Sequence, residues 1–214
     1  YEFAFRLTGA SVKNFNANFD GDFKWDFKKA SNLIKNKKPN LVIICNPNNP
    51  TGKYSKREEI EILVKASLHS GTILVLDEAY LSFVANPWNS LSLLKYSNII
   101  LVRSMTKNYA NAALRLGYAL ASEDFVTKLR AIQPDWSVNS LAQKAGIASL
   151  EDDEYLSNAR KVVFSARNYL KKELTQLGLE TIPTDANFLL IKVDNASKWR
   201  SLLMKKGVVV RDCT

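Results

Sequence analysis

The chain has 214 residues, 46% hydrophobic and 24% charged, and carries a formal net charge of +9. That composition supports a substantial core and argues against disorder, and no apolar run approaches the roughly 18 residues of a membrane span. The basic residues fall in short scattered groups (Lys35, Lys37 and Lys38; Lys171 and Lys172; Lys205 and Lys206) without interleaved aromatics, so they read as solvated helix faces, not a nucleic-acid surface.

Residues 1–12 read as a helix running into Gly9, with a short strand at 11–15, and no charged-then-apolar leader opens the chain. Residues 16–26 read as a polar turn region and 27–35 as a helix. The β-branched run Leu41–Cys45 is a strand that delivers Asn46-Pro47-Asn48-Asn49-Pro50-Thr51-Gly52. Ser55 begins a helix, with Glu58 at capping-box spacing; Ile60, Leu63, Val64 and Leu68 form its apolar stripe, and Gly71 stops it. A strand at 72–76 leads into Asp77-Glu78-Ala79-Tyr80, followed by an irregular stretch holding Pro87 and Trp88. A strand at 99–102 then leads into Ser104-Met105-Thr106-Lys107, and 116–121 is another strand, with Ser122 capping the helix after it. A long helix spans 153–177 and ends at Gly178; beyond Pro183 come a strand at 188–193, a helix at 196–206 and a strand at 208–211.

Strands separated by helices predict an α/β fold with a mostly parallel sheet and helices on both faces. The expected organisation is a large domain over 1–152, a linking helix over 153–179 and part of a small α/β domain over 180–214. The abrupt start and stop of this pattern mark the chain as a fragment of a larger fold. Cys45 and Cys213 lie far apart in sequence and read as reduced core thiols. One histidine, His69, and two cysteines supply neither a metal-ligand set nor a Ser-His-Asp triad, so no metal is expected.

In an open α/β sheet, ligands bind beyond the carboxyl ends of the strands. Three polar clusters fall there on one rim, bringing an amine, a carboxylate, a phenol and a guanidinium. Alone, the Asn/Pro loop reads slightly better as a multiple turn than as a loop that projects the Asn49 amide into the rim site. Its Gly52-Lys53 pair lacks the spacing of a phosphate loop. Asp77 follows an apolar run, where a carboxylate needs a partner: a helix cap, a salt bridge, or a cation such as a protonated ring nitrogen. Glu78 has no role assignable from sequence. Most lysines are solvated, but Lys107 stands beside Ser104 and Thr106 at a strand end, with Arg115 eight residues on. Hydroxyls and a guanidinium there make an anion site, and an amine beside it points to a phosphorylated carbonyl cofactor held as a Schiff base.

The ordered motifs N-P-N-N-P-T-G, D-E-A-Y and S-x-T-K-x₇-R-L-G-Y resemble the fold-type I pyridoxal-phosphate enzymes of the class I/II aminotransferase group. The similarity covers essentially the whole chain and is greatest to the histidinol-phosphate aminotransferase and threonine-phosphate decarboxylase branch. It implies an aspartate aminotransferase-like fold, with Lys107 as the lysine that holds pyridoxal 5'-phosphate and later shuttles a proton. By the same resemblance Asp77 pairs with the pyridine nitrogen, Asn49 and Tyr80 bond the ring's phenolic oxygen, and Ser104, Arg115 and, more weakly, Thr106 hold the phosphate. Asn139, within a site-lining segment that begins at Gln133, together with Asn187 and Arg211, matches positions near the substrate. The family carries further segments before and after these motifs, including a phosphate loop, a ring-stacking aromatic and an arginine for the substrate carboxylate, which this chain does not contain.

The resemblance implies a cytoplasmic homodimer that moves an amino group between an amino acid or a phosphorylated amine, such as histidinol phosphate, and a 2-oxo acid. The scattered charge and the lack of a long apolar run lead to the expectation of no nucleic-acid partner and no membrane. A decarboxylase acting on threonine phosphate would use the same residues, and Trp136 and Val210-Arg211-Asp212-Cys213 resemble that branch slightly. A transcription regulator that keeps an aminotransferase-like sensor domain is the reading of another class; the sequence before Tyr1 would decide it.

Overall fold

The computed structural model describes residues 1–17 and 23–214. Its main sheet has four strands: β1 (Leu41–Cys45), β2 (Ile73–Asp77), β3 (Ile99–Ser104) and β4 (Gly117–Ala121), in that spatial order. β1, β2 and β3 run parallel, with Cys45 opposite Asp77 and Asp77 opposite Val102. β4 returns antiparallel to β3 and places Gly117 opposite Ser104. The sheet is mostly parallel, as expected, with one antiparallel strand at its edge.

Period-two side-chain alternation sends Leu74 and Leu76 to one face, where both are fully buried with Leu101. Against them packs helix α3 (Arg57–His69) through Ile60, Leu63, Val64 and Ala66. Full burial of each large aliphatic side chain stabilises by about 1.5–3 kcal/mol. α3 begins later than the sequence suggests: Lys56 is the N-cap, and its N–H donates to the Glu59 carboxylate at 2.7 Å. Ser55 is instead buried, donating its N–H to Asn46 Oδ1 at 2.6 Å while its carbonyl accepts from Asn46 and Trp88. Leu68, assigned to the apolar stripe, is 43% exposed. At about 100° per residue it has turned to the flank of the stripe that Ile60 leads, and Ser67 fills the inward position.

Helix α1 (Glu2–Leu7) is shorter than expected, and residues 11–15 join no strand. Helix α2 (Phe27–Lys37) is capped by Asp26, which accepts from Lys29 N at 2.8 Å. Of the expected polar turn at 16–26, residues 18–22 lie outside the described residues. Short 3₁₀ turns, Leu81–Phe83 and Ser90–Lys95, occupy the irregular stretch before β3.

Beyond the main sheet come α4 (Glu123–Ala131), α5 (Ser140–Glu151) and the long α6 (Tyr155–Gln176). α5 carries little amphipathic signature in sequence and was not expected as a helix. A second, antiparallel sheet pairs β5 (Glu180–Ile182), also unexpected, with β6 (Leu190–Lys192), and α7 (Ala196–Met204) follows. Residues 208–211, β-branched enough to read as a strand, have irregular backbone. A strand exists only by pairing, and instead the Val208 N–H donates to Leu203 O at 3.0 Å, folding the backbone against the end of α7. Cys45 is buried and Cys213 exposed, so only one of the two thiols belongs to the core. No described helix is long and apolar enough to cross a membrane, and the described residues hold no cluster of metal-ligating side chains.

Candidate active site

The carboxyl ends of β1, β2 and β3 sit side by side because the strands are parallel and in register, and each ends in polar residues. The loop after β1 is clamped. Asn46 is buried and bridges to Ser55 from both amide atoms, and the Asn46–Pro47 and Asn49–Pro50 peptides are cis. Gly52 takes φ +69°, donates to Asn48 O at 2.7 Å and accepts from Asp185 N at 2.8 Å. This leaves Asn49 exposed at the rim, where its Nδ2 donates to the Tyr80 hydroxyl at 2.8 Å.

Asp77 closes β2. Its Oδ1 accepts from Ala79 N at 2.9 Å, tightening the turn that presents Tyr80, and its Oδ2 accepts the phenol of Tyr1. Beside it, burial and then the Asp77 charge push the Cys45 thiol up to about 11. The Tyr80 ring is held in place by an edge-to-face contact with Phe188 at 5.0 Å between centroids. Lys107 is exposed, and its Nζ stands 5.8 Å from the centre of the same ring. Asn49, Asp77, Tyr80 and Lys107 are thereby brought together from three different loops.

The hydroxyls of Ser104 and Thr106 are 2.7 Å apart, and Thr106 N donates to Ser104 Oγ at 3.2 Å. Arg115 adopts φ +57°, and its guanidinium donates to Ala112 O at 2.9 Å while remaining exposed. The β3–β4 pairing keeps it within two residues of Gly117, the partner of Ser104. A Cβ on Gly117 would meet Arg103 O at 2.8 Å, so this close approach of the two strands needs glycine.

The residues assigned to substrate are less gathered. Asn139 caps α5, accepting from Ala142 N at 2.9 Å and donating to Leu114 O at 3.4 Å, so both ends of its amide are engaged beside Arg115. Asn187 is exposed, and its neighbour Phe188 is the residue that touches Tyr80. Arg211 is exposed on irregular backbone.

Sequence reasoning missed two features. Glu78 is only 1% exposed at its side chain and forms an ion pair with Arg103 at 2.9 Å; Arg103 also donates to Ser90 Oγ at 3.1 Å. The signal was the strand period: Glu78 continues the inward series of Leu74 and Leu76, so it needed a buried cation. Tyr1 was read only as the start of a helix, and nothing in its local pattern places it on Asp77.

This donor set matches pyridoxal phosphate function by function. One carboxylate suits a protonated ring nitrogen, an amide–phenol pair suits a phenolate oxygen, and an amine stands beside them. A hydroxyl pair and a guanidinium suit a phosphate. The class I and II aminotransferase family model matches residues 1–214. The chain belongs to that family. It is 36% identical over 197 residues to the histidinol-phosphate aminotransferase 2 of Carboxydothermus hydrogenoformans, covering 89% of this chain and 53% of that protein. The crystal structure of the histidinol-phosphate aminotransferase from Clostridium acetobutylicum superposes with a TM-score of 0.90 at 28% identity, over 100% of this chain and 65% of that one. A decarboxylase from Sulfurospirillum multivorans superposes with a TM-score of 0.84 at 28% identity, over 95% of this chain and 55% of that one. The chain thus spans about half the length of the curated relative it matches, and its fold is the aspartate aminotransferase-like one.

Proposed function

We propose that this chain carries the cofactor-binding core of a pyridoxal-phosphate-dependent aminotransferase, acting between an amino acid or a phosphorylated amine and a 2-oxo acid. The observation that carries the reading is the convergence of Asn49 and Lys107 on the Tyr80 side chain, which the turn closed by Asp77 presents. When bound, pyridoxal phosphate supplies an aldehyde and an electron-withdrawing pyridinium that accepts the electrons released at the substrate's α-carbon. Lys107 Nζ would hold the aldehyde carbon, Asp77 the ring N–H, and Asn49 and Tyr80 the ring oxygen. Ser104, Thr106 and Arg115 would hold the phosphate. Two donors toward the ring oxygen and one acceptor toward the ring nitrogen would fix the ring's orientation beside Lys107. With the cofactor bound, the Lys107 amine would be the base that takes the proton from the substrate α-carbon.

Asn139, Asn187 and Arg211 are proposed to line the substrate end, with Arg211 as its anion contact. A small domain beginning within α6, a homodimer and a cytoplasmic location belong to the same reading. The second reading, decarboxylation, is favoured by the likeness to the Sulfurospirillum decarboxylase and uses the same cofactor residues.

The test uses the full-length protein, loaded with pyridoxal phosphate, reduced with borohydride and mapped by mass spectrometry beside Lys107→Ala. A pyridoxyl adduct confined to Lys107 is expected; adducts spread over surface lysines would sink the reading. Glutamate formation from 2-oxoglutarate with histidinol phosphate, against carbon dioxide release from threonine phosphate, separates the two reactions.

A further inference from the structure

Asp77 is held by two donors. Its Oδ1 takes the Ala79 N–H at 2.9 Å, and its Oδ2 takes the hydroxyl of Tyr1. Cys45, opposite Asp77 in the β1–β2 register, turns its thiol to Pro47 O at 3.1 Å and also meets the Tyr1 hydroxyl. The phenol therefore lies where the ends of β1 and β2 meet, although Tyr1 as a whole is 62% exposed. A phenol can donate one hydrogen, and here the carboxylate takes it. Burial first, then the bond to Asp77, raises the Tyr1 pKa well above the ordinary phenol value, so the hydroxyl stays a donor throughout the working pH range. Each Asp77 oxygen then has one committed donor and spare acceptor capacity, with its rotation stopped from both sides.

We propose that Tyr1 is a positioning residue that fixes the Asp77 carboxylate in the orientation from which it grips the cofactor's ring nitrogen. The inference rests on the pyridoxal-phosphate reading given above. Tyr1 acts through Asp77, the group its hydroxyl meets. A tether of this kind shows in how tightly the cofactor is kept and in the protonation of its chromophore, not in the fold.

In the full-length protein, Tyr1→Phe keeps the ring and deletes only the hydroxyl. Loss of pyridoxal phosphate during dialysis should become about tenfold faster, the size expected when one hydrogen bond to a charged group is removed. The pH midpoint of the bound cofactor's visible band should move as well. Retention and midpoint equal to those of the unaltered protein would overturn the proposal. A second readout needs no cofactor. With tyrosines labelled at ¹³Cζ, the Tyr1 signal of the cofactor-free protein should remain un-ionised at the top of an alkaline titration, and should ionise earlier in Asp77→Asn. Ionisation of Tyr1 at an ordinary phenol pH overturns the proposal. If the unaltered protein takes up no cofactor at Lys107, the functional reading fails by itself. The titration then decides the Tyr1–Asp77 bond, upheld by late ionisation that Asp77→Asn relaxes and overturned by ordinary ionisation.

Discussion

The side-chain amide of Asn49 donates to the hydroxyl of Tyr80 at 2.8 Å across 31 positions of sequence, joining the loop after β1 to the turn after β2. Either residue alone is an ordinary turn or surface residue. The bond brings an amide and a phenol, both hydrogen-bond donors, side by side at the rim. Tyr80→Phe removes a donor and leaves Asn49 without its acceptor. Pyridoxal phosphate should bind about tenfold more weakly, as expected for one hydrogen bond to an ionised oxygen. Equilibrium dialysis of the full-length protein measures this, and unchanged affinity would remove Tyr80 from the cofactor site.

Glu78 and Arg103 predict a stability effect without a direct chemical one. The pair is 2.9 Å apart, with Glu78 almost wholly enclosed. Deleting one partner strands a buried charge, so Arg103→Leu should destabilise by about 3–5 kcal/mol. The double change to Glu78→Leu with Arg103→Leu should recover much of that loss, because no charge is then left unpaired. Urea denaturation of the four proteins gives the cycle, and additive losses would show that the pair is not coupled.

Gly52 sits at φ +69°, where an L side chain is strained, and a Cβ there would lie 1.8 Å from Thr184 Oγ1 and 2.6 Å from Thr184 Cβ. Gly52→Ala should cost about 2 kcal/mol or more, since the loop must leave both its conformation and its contact with Thr184. Thr184→Ala added to it should not restore stability, because the Thr184 Cβ clash and the backbone strain both remain. Thermal unfolding of the single and double variants decides this; full rescue by Thr184→Ala would mean that the hydroxyl clash alone mattered.

The Cys45 thiol sets an alkaline limit. Its pKa is raised from 9.0 to about 11, first by burial and then by the Asp77 charge. A raised folded-state value favours the protonated form in the native protein, so this stabilisation is fully present below about pH 9 and is lost as pH rises toward 11. Stability measured by denaturant should therefore fall across that window in the cofactor-free protein, and Cys45→Ala should flatten the fall. The same slope in both proteins would assign the loss to other groups.

At the far end, Asp212 accepts from the Ser197 hydroxyl at 2.5 Å and from Thr214 N at 3.0 Å, and these bonds hold its pKa down to about 2. A depressed value means that the link between α7 and the segment after it persists above about pH 4 and is lost only as pH falls toward 2. Amide shifts of Ser197 and Thr214 in an acid titration should move together in that range; movement near pH 4 would show that the contact does not hold the carboxylate.

Much of this molecule was legible in the chain alone. The runs 41–45, 72–76 and 99–102 are short, β-branched and bounded by turn formers, so their strand character follows from local composition, and they coincide within one or two residues with β1, β2 and β3. Their polar ends, read in order, place Asn49, Asp77, Tyr80, Ser104 and Lys107 on one rim, because parallel strands in one sheet point their carboxyl ends the same way. Tertiary structure alone decided what each side chain meets. It sent Glu78 inward to Arg103, used both ends of the Asn139 amide at a helix start, brought Phe188 onto Tyr80, and set Tyr1 on Asp77 across 76 positions. It also left the β-branched residues 208–211 without a ladder. Periodicity is a property of neighbours in sequence and fixes which face a residue occupies. A hydrogen bond or an ion pair depends on a partner from another element, and only packing decides which partner arrives.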